Sequence, residues 1–127
     1  MKEIINGEYF ALFSQIVLID VEATDAYPQW MTGEEIAVLH SKGVAVSALG
    51  DSLIHVIVYE GDELIGEIEY ISGVIDVGSK GLLVGNEAAG TSSVFPWPTG
   101  RTKIKVYANA PKDKATSIKF ILQRLGE

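Results

Sequence analysis

The chain has no cysteine, which excludes disulfides, thiolate metal sites and cysteine nucleophiles by chemistry. No stretch approaches the ~20 consecutive apolar residues that a membrane-spanning helix requires. The N-terminal Met1-Lys2-Glu3-Ile4-Ile5-Asn6-Gly7-Glu8 carries acids where a secretory leader is basic and then apolar. These absences predict a soluble, cytoplasmic protein. Positive charge is also scarce over most of the length. Residues 1–99 hold three Lys against fifteen Asp and Glu, whereas residues 100–127 hold seven Lys and Arg against two acids, and the net charge is −7. A surface of that kind repels nucleic-acid phosphate and attracts cationic proteins, so a directly bound partner is expected to be a basic protein.

At 127 residues, 47% apolar and 21% charged, the chain has the size and composition of one globular domain spanning 1–127. Short apolar segments punctuated by Gly, Asn, Asp and Pro predict a mainly β protein, an antiparallel β-sandwich with one short α-helix. The candidate strands are residues 9–13, 15–21, 44–49, 53–60, 64–71, 74–77, 81–84, 103–108 and 116–125. Gly61-Asp62-Glu63 reads as a tight turn closing a hairpin between the segments on either side. Asn109-Ala110-Pro111-Lys112-Asp113-Lys114 reads as the turn of a second hairpin. In that hairpin Ile104 and Val106 alternate with Lys103, Lys105 and Tyr107, and Ile118, Phe120 and Leu122 alternate with Ser117, Lys119 and Gln123. One face is therefore core and the other basic and wet. Ile121 interrupts the polar side and is expected at an edge or interface.

Thr32-Gly33-Glu34-Glu35 has the form of a capping box, with Met31 and Ile36 placed as a hydrophobic staple. Ile36, Val38 and Leu39 supply an apolar stripe, and Gly43 stands where a left-handed cap is wanted. These signals predict a helix over residues 33–42, with His40 favourably placed at its C-terminal dipole and Trp30 packing it onto a sheet. Residues 86–102 form the longest stretch without a clear period, and such loops are often functional.

The densest charge lies in Glu60-Gly61-Asp62-Glu63-Leu64-Ile65-Gly66-Glu67-Ile68-Glu69, five carboxylates in ten residues. Two readings stand side by side: an edge that docks on the cationic cleft of another protein, or a solvated strand whose charge discourages edge-to-edge aggregation. The spacing lacks the alternating ligands of a calcium loop, and nothing in the sequence calls for a metal or other cofactor. Trp97, held between Pro96 and Pro98, suits a binding anchor or a plug closing one end of the sandwich. His55 reads as a satisfied strand histidine. Ser14, Ser47, Ser52, Ser92 and Ser93 fit no nucleophile pattern, so no enzyme activity is expected. Gly78-Ser79-Lys80-Gly81 and Gly90-Thr91-Ser92-Ser93 read as turns rather than phosphate loops. The candidate partner-binding residues are Glu60, Asp62, Glu63, Glu67, Glu69 and Trp97.

A set of short motifs carries a family resemblance. Trp30-Met31-Thr32-Gly33-Glu34-Glu35-Ile36 is followed by Gly43-Val44-Ala45, then Gly81-Leu82-Leu83-Val84, and finally Pro98-Thr99-Gly100 ahead of the Lys103 to Tyr107 strand. In this order the chain resembles bacterial competence-protein-J proteins. The resemblance implies a small cytoplasmic protein that binds and inhibits a DNA-entry nuclease. Two other readings remain: a sandwich that recognises a carbohydrate-type ligand through Trp97, Tyr27 and Trp30, and a homo-oligomer built by strand pairing between the oppositely charged regions.

Overall fold

A computed structural model describes residues 2–23, 36–61 and 68–126. Among them the strands are β1 (Lys2–Phe10), β2 (Gln15–Asp20), β3 (Ala37–His40), β4 (Gly43–Ser47), β5 (Leu53–Glu60), β6 (Ile68–Val77), β7 (Leu82–Asn86), β8 (Thr91–Phe95), β9 (Gly100–Ala108) and β10 (Ser117–Gly126). They form two five-stranded sheets, A in the order β1-β5-β10-β9-β6 and B in the order β3-β4-β2-β7-β8. Every pair is antiparallel except β5 with β10.

The sheets face each other across a core built by period-two alternation. From sheet A come Ile54, Val56, Val58, Ile104, Val106, Ile118, Phe120 and Leu122, and from sheet B come Ile16, Leu18, Val44, Val46, Leu82 and Val84, all fully buried. Burying each of these side chains contributes ~1.5–3 kcal/mol. Both lateral openings are bridged. On one side the Tyr9 hydroxyl donates to Ser93 Oγ at 2.8 Å and the Phe10 N–H donates to Thr91 Oγ1 at 3.0 Å. On the other, the Asp76 N–H donates to the Ser41 carbonyl at 2.7 Å. Sheet B is buried on its outward face too, where Val17, Ile19, Ala45 and Leu83 join Ala23 in a second, smaller core.

The sandwich and the β9–β10 hairpin agree with the sequence reading, and the latter pairs Ile118 with Ala108 and Leu122 with Ile104. The helix expected over residues 33–42 does not form where the structure describes it: residues 37–40 are strand β3, paired to β4 through a two-residue turn at Ser41 and Lys42. The capping-box residues 32–35 lie outside the described residues. Gly43 is not a helix cap. A Cβ there would lie 2.6 Å from the Leu18 carbonyl oxygen and 2.7 Å from Ile19 Cα, so glycine lets β4 close onto β2. His40 has no helix dipole to answer, and its Nδ1 accepts from the Lys42 N–H at 3.3 Å.

The hairpin expected around Gly61-Asp62-Glu63 is also corrected. β5 and β6 run parallel to one another, and β10 and β9 lie between them. Residues 86–102 are not one long loop, because they hold a 3-10 turn at Glu87–Ala89 and strand β8. Within them Gly90 is left-handed, with φ 73°, but Thr91, Ser92 and Ser93 are strand rather than turn. Gly78-Ser79-Lys80-Gly81 is a turn, as read. β1 begins seven residues ahead of the strand expected at Tyr9. Ile121 is no edge contact: it is buried on β10, in the middle of sheet A, with Tyr59 and Lys105 in register on either side. Tyr107, expected on the wet face, is buried as well.

Candidate functional site

A groove of about 360 Å³ opens at the end of the sandwich where β1 begins and β5, β8 and β10 finish. Its lining comes from three places: Lys2, Glu3 and Ile4 on β1, Glu60 and Arg124 at the ends of β5 and β10, and Pro96, Trp97 and Pro98 between β8 and β9. Glu60 stands two residues beyond Val58 on the inward-facing side of β5, so alternation points it at the mouth between the sheets and not at a flank. Its backbone register sets it opposite Lys2 and beside Leu122. The groove thus carries two carboxylates and two cations over an apolar floor.

Two of the six sequence-selected residues, Glu60 and Trp97, meet in this groove. Trp97 is 7% exposed, and its indole N–H donates to Thr102 Oγ1 at 2.7 Å. Thr102 itself is 1% exposed, so the bond satisfies two polar groups that burial would otherwise leave unpaired. The ring closes this end of the core. Its N–H is engaged and little of its face is free for stacking on a sugar; Tyr27 and Trp30, the other aromatics of that reading, lie outside the described residues.

Glu69 is exposed on β6, three strands away from Glu60 across sheet A, where it stands opposite Tyr107. Asp62, Glu63 and Glu67 lie outside the described residues. The described acids do not gather on one face. β9 and β10, which bring Arg101, Lys103, Lys105 and Lys119, are inserted between the acid-bearing β5 and β6. The separation of charge along the chain therefore becomes an interleaving in space, with Asp76 directly opposite Arg101. The same topology speaks to strand pairing between oppositely charged regions: β9 and β10 are internal to sheet A, with both edges already paired.

The histidines sit in different sheets. His55 Nε2 lies 2.7 Å from Asn6 Oδ1 on the neighbouring β1. Among the described residues no group of three or more His, Cys, Asp or Glu is arranged to hold a metal ion, and no helix is long and apolar enough to cross a membrane.

Two five-stranded sheets facing each other, with a parallel β5–β10 pair in one of them, define a mainly β sandwich. The solved structure of ComJ from Bacillus subtilis, an inhibitor of the DNA-degrading activity of NucA, superposes with a TM-score of 0.77 over 98% of each chain at 11% identity. The crocagin biosynthetic gene J protein has a TM-score of 0.57, with 99% of this chain and 100% of that one covered, at 14% identity. No family model and no curated protein matches the sequence. At these identities the likeness is one of fold.

Proposed function

We propose that this chain is a non-catalytic cytoplasmic protein that binds and inhibits a nuclease, using carboxylates to engage a surface built for DNA phosphate. The observation that carries the reading is the end-to-end correspondence of fold with an inhibitor of a DNA-degrading enzyme, 98% of both chains. The charge of −7 supports it, because a nuclease presents a cationic cleft and an acidic partner approaches it faster than a neutral one. Glu60, Asp62, Glu63, Glu67 and Glu69 supply that charge in this proposal. Steering is their role in this reading, since among the described residues lysines and arginines of β9 and β10 interleave with the acids of sheet A.

The experiment is a DNA-degradation assay. The immobilised chain is exposed to lysate of its source cells at low salt, the bound fraction is eluted with salt, and its nuclease activity is titrated with the free protein. Dose-dependent loss of DNA cleavage by a basic protein in that fraction supports the proposal; a fraction with no nuclease, or one whose activity the protein leaves intact, refutes it. Glu60→Lys, like paired reversal of Glu67 and Glu69, should slow association several-fold at low ionic strength, and the difference should vanish at high salt.

A further inference from the structure

At the mouth of the Trp97 groove, sheet A presents three charges on neighbouring strands. Lys2 on β1 is in register with Glu60 on β5, and Glu60 is in register with Leu122 on β10. Arg124 lies two residues beyond Leu122, so alternation turns it to the same face. From β1 to β10 the rim therefore runs cation, carboxylate, cation. All three side chains are exposed, and none is ion-paired or hydrogen-bonded to another described residue. The fourth charge of the lining is held differently: Glu3 Oε1 accepts from the Asn6 side-chain amide at 3.3 Å. Exposed Pro96 and Pro98, with nearly buried Trp97 between them, supply the apolar side.

Two cations and two carboxylates leave the lining with no net charge, so the groove has no field that gathers a simple ion. A phosphate drawn by Lys2 and Arg124 would meet Glu60 between them. A lysine or arginine side chain drawn by Glu60 would meet a cation on either hand. Each would lose in one contact what it gains in another. A ligand that carries both signs a short distance apart escapes this conflict: its ammonium answers Glu60, and its carboxylate answers Lys2 or Arg124, whose guanidinium can hold both oxygens. The volume of about 360 Å³ stands at the lower end of the ~300–1,000 Å³ typical of small-molecule sites, which suits one residue-sized zwitterion. The two proline rings offer a surface for an apolar side chain.

We propose that this groove binds a free α-amino acid with an apolar side chain, Glu60 taking the ammonium, Arg124 and Lys2 the carboxylate, and Pro96 and Pro98 the side chain. All four charges of the lining are accounted for, Glu3 by Asn6 and the other three by the ligand. The proposal goes beyond the inhibitor reading and does not depend on it, although the two share Glu60.

The test is isothermal titration calorimetry of the full chain with L-phenylalanine, glycine, N-acetyl-L-phenylalanine, which lacks the ammonium, and L-phenylalaninamide, which lacks the carboxylate. L-phenylalanine should bind saturably with a Kd of about 0.1–1 mM, and each of the other three should bind roughly tenfold more weakly or worse. Glu60→Gln should weaken L-phenylalanine about tenfold and leave the N-acetyl compound unchanged; Arg124→Gln should weaken L-phenylalanine and leave the amide unchanged. Both side chains are exposed, so the melting temperature without ligand should match wild type and report intact folding. Absence of saturable heat with L-phenylalanine up to about 10 mM overturns the proposal. So does equal affinity for either blocked compound, which would make the site one for a single charge, or equal affinity for glycine, which would leave the prolines without a part. No nuclease is present in this assay, so its failure leaves the inhibitor reading standing, and failure of the nuclease titration leaves this site standing.

Discussion

The two ends of the sandwich handle their aromatic residues in opposite ways. At one end Trp97 is folded into the core, its N–H bonded to a buried threonine, and the proline on each side holds the loop around it. At the other end Phe13 stands in solvent on a left-handed backbone conformation that costs free energy and is held by hydrogen bonds from two other segments, Asn86 and the β4–β5 connection. The first end contributes stability. The second stores strain. Sequence alone separates the two residues the other way, marking Trp97 between two prolines as a binding candidate and placing Phe13 at the end of an expected strand.

Substitutions can break this contrast or sharpen it. The largest effect is expected for Trp97→Ala, which removes a buried ring and orphans the Thr102 hydroxyl; a loss of about 3–5 kcal/mol in urea unfolding is the expectation. A loss below ~1 kcal/mol would mean that the ring is not a core element. Thr102→Val leaves the indole N–H buried without its acceptor and should cost about 1–3 kcal/mol. At the strained end the sign reverses. Asp51→Gly and Lys112→Gly relieve left-handed backbone and should raise stability by about 0.5–1 kcal/mol each. If either lowers stability, the backbone there is not strained. The smallest effect is expected for Phe13→Ala, within about 0.5 kcal/mol of wild type because so little of the ring is packed.

Strands whose burial follows alternation were legible: β5 was read with its observed limits, and the β9–β10 hairpin with its inward face. β1 was read late because Lys2, Glu3, Asn6 and Glu8 give an edge strand too polar a signature. Thr91, Ser92 and Ser93 give β8 the composition of a loop. Residues 37–40 were read as helix because four residues cannot distinguish a period of 3.6 from one of two, and Gly43 invited a cap. Local signals could not reveal that β10 separates β5 from β9, so an acidic turn was mistaken for a hairpin. The groove joins residues 2–4, 60, 96–98 and 124, which the pairing of β1, β5 and β10 and the connection from β8 to β9 bring together. Phe13 carried no sequence signal at all, since its distinction is a dihedral angle.

The placement of β10 governs how this protein can be made. β10 is the middle strand of sheet A, so until it has been synthesised β1–β5 and β9–β6 are two detached ribbons with bare hydrogen-bonding edges. Sheet A is closed by pairings between strands distant along the chain, β1 with β5, β5 with β10 and β6 with β9, which is the topology of a slow folder. A nascent chain stalled before Ser117 should therefore be a substrate for chaperones, and the domain should snap shut only after synthesis has passed it.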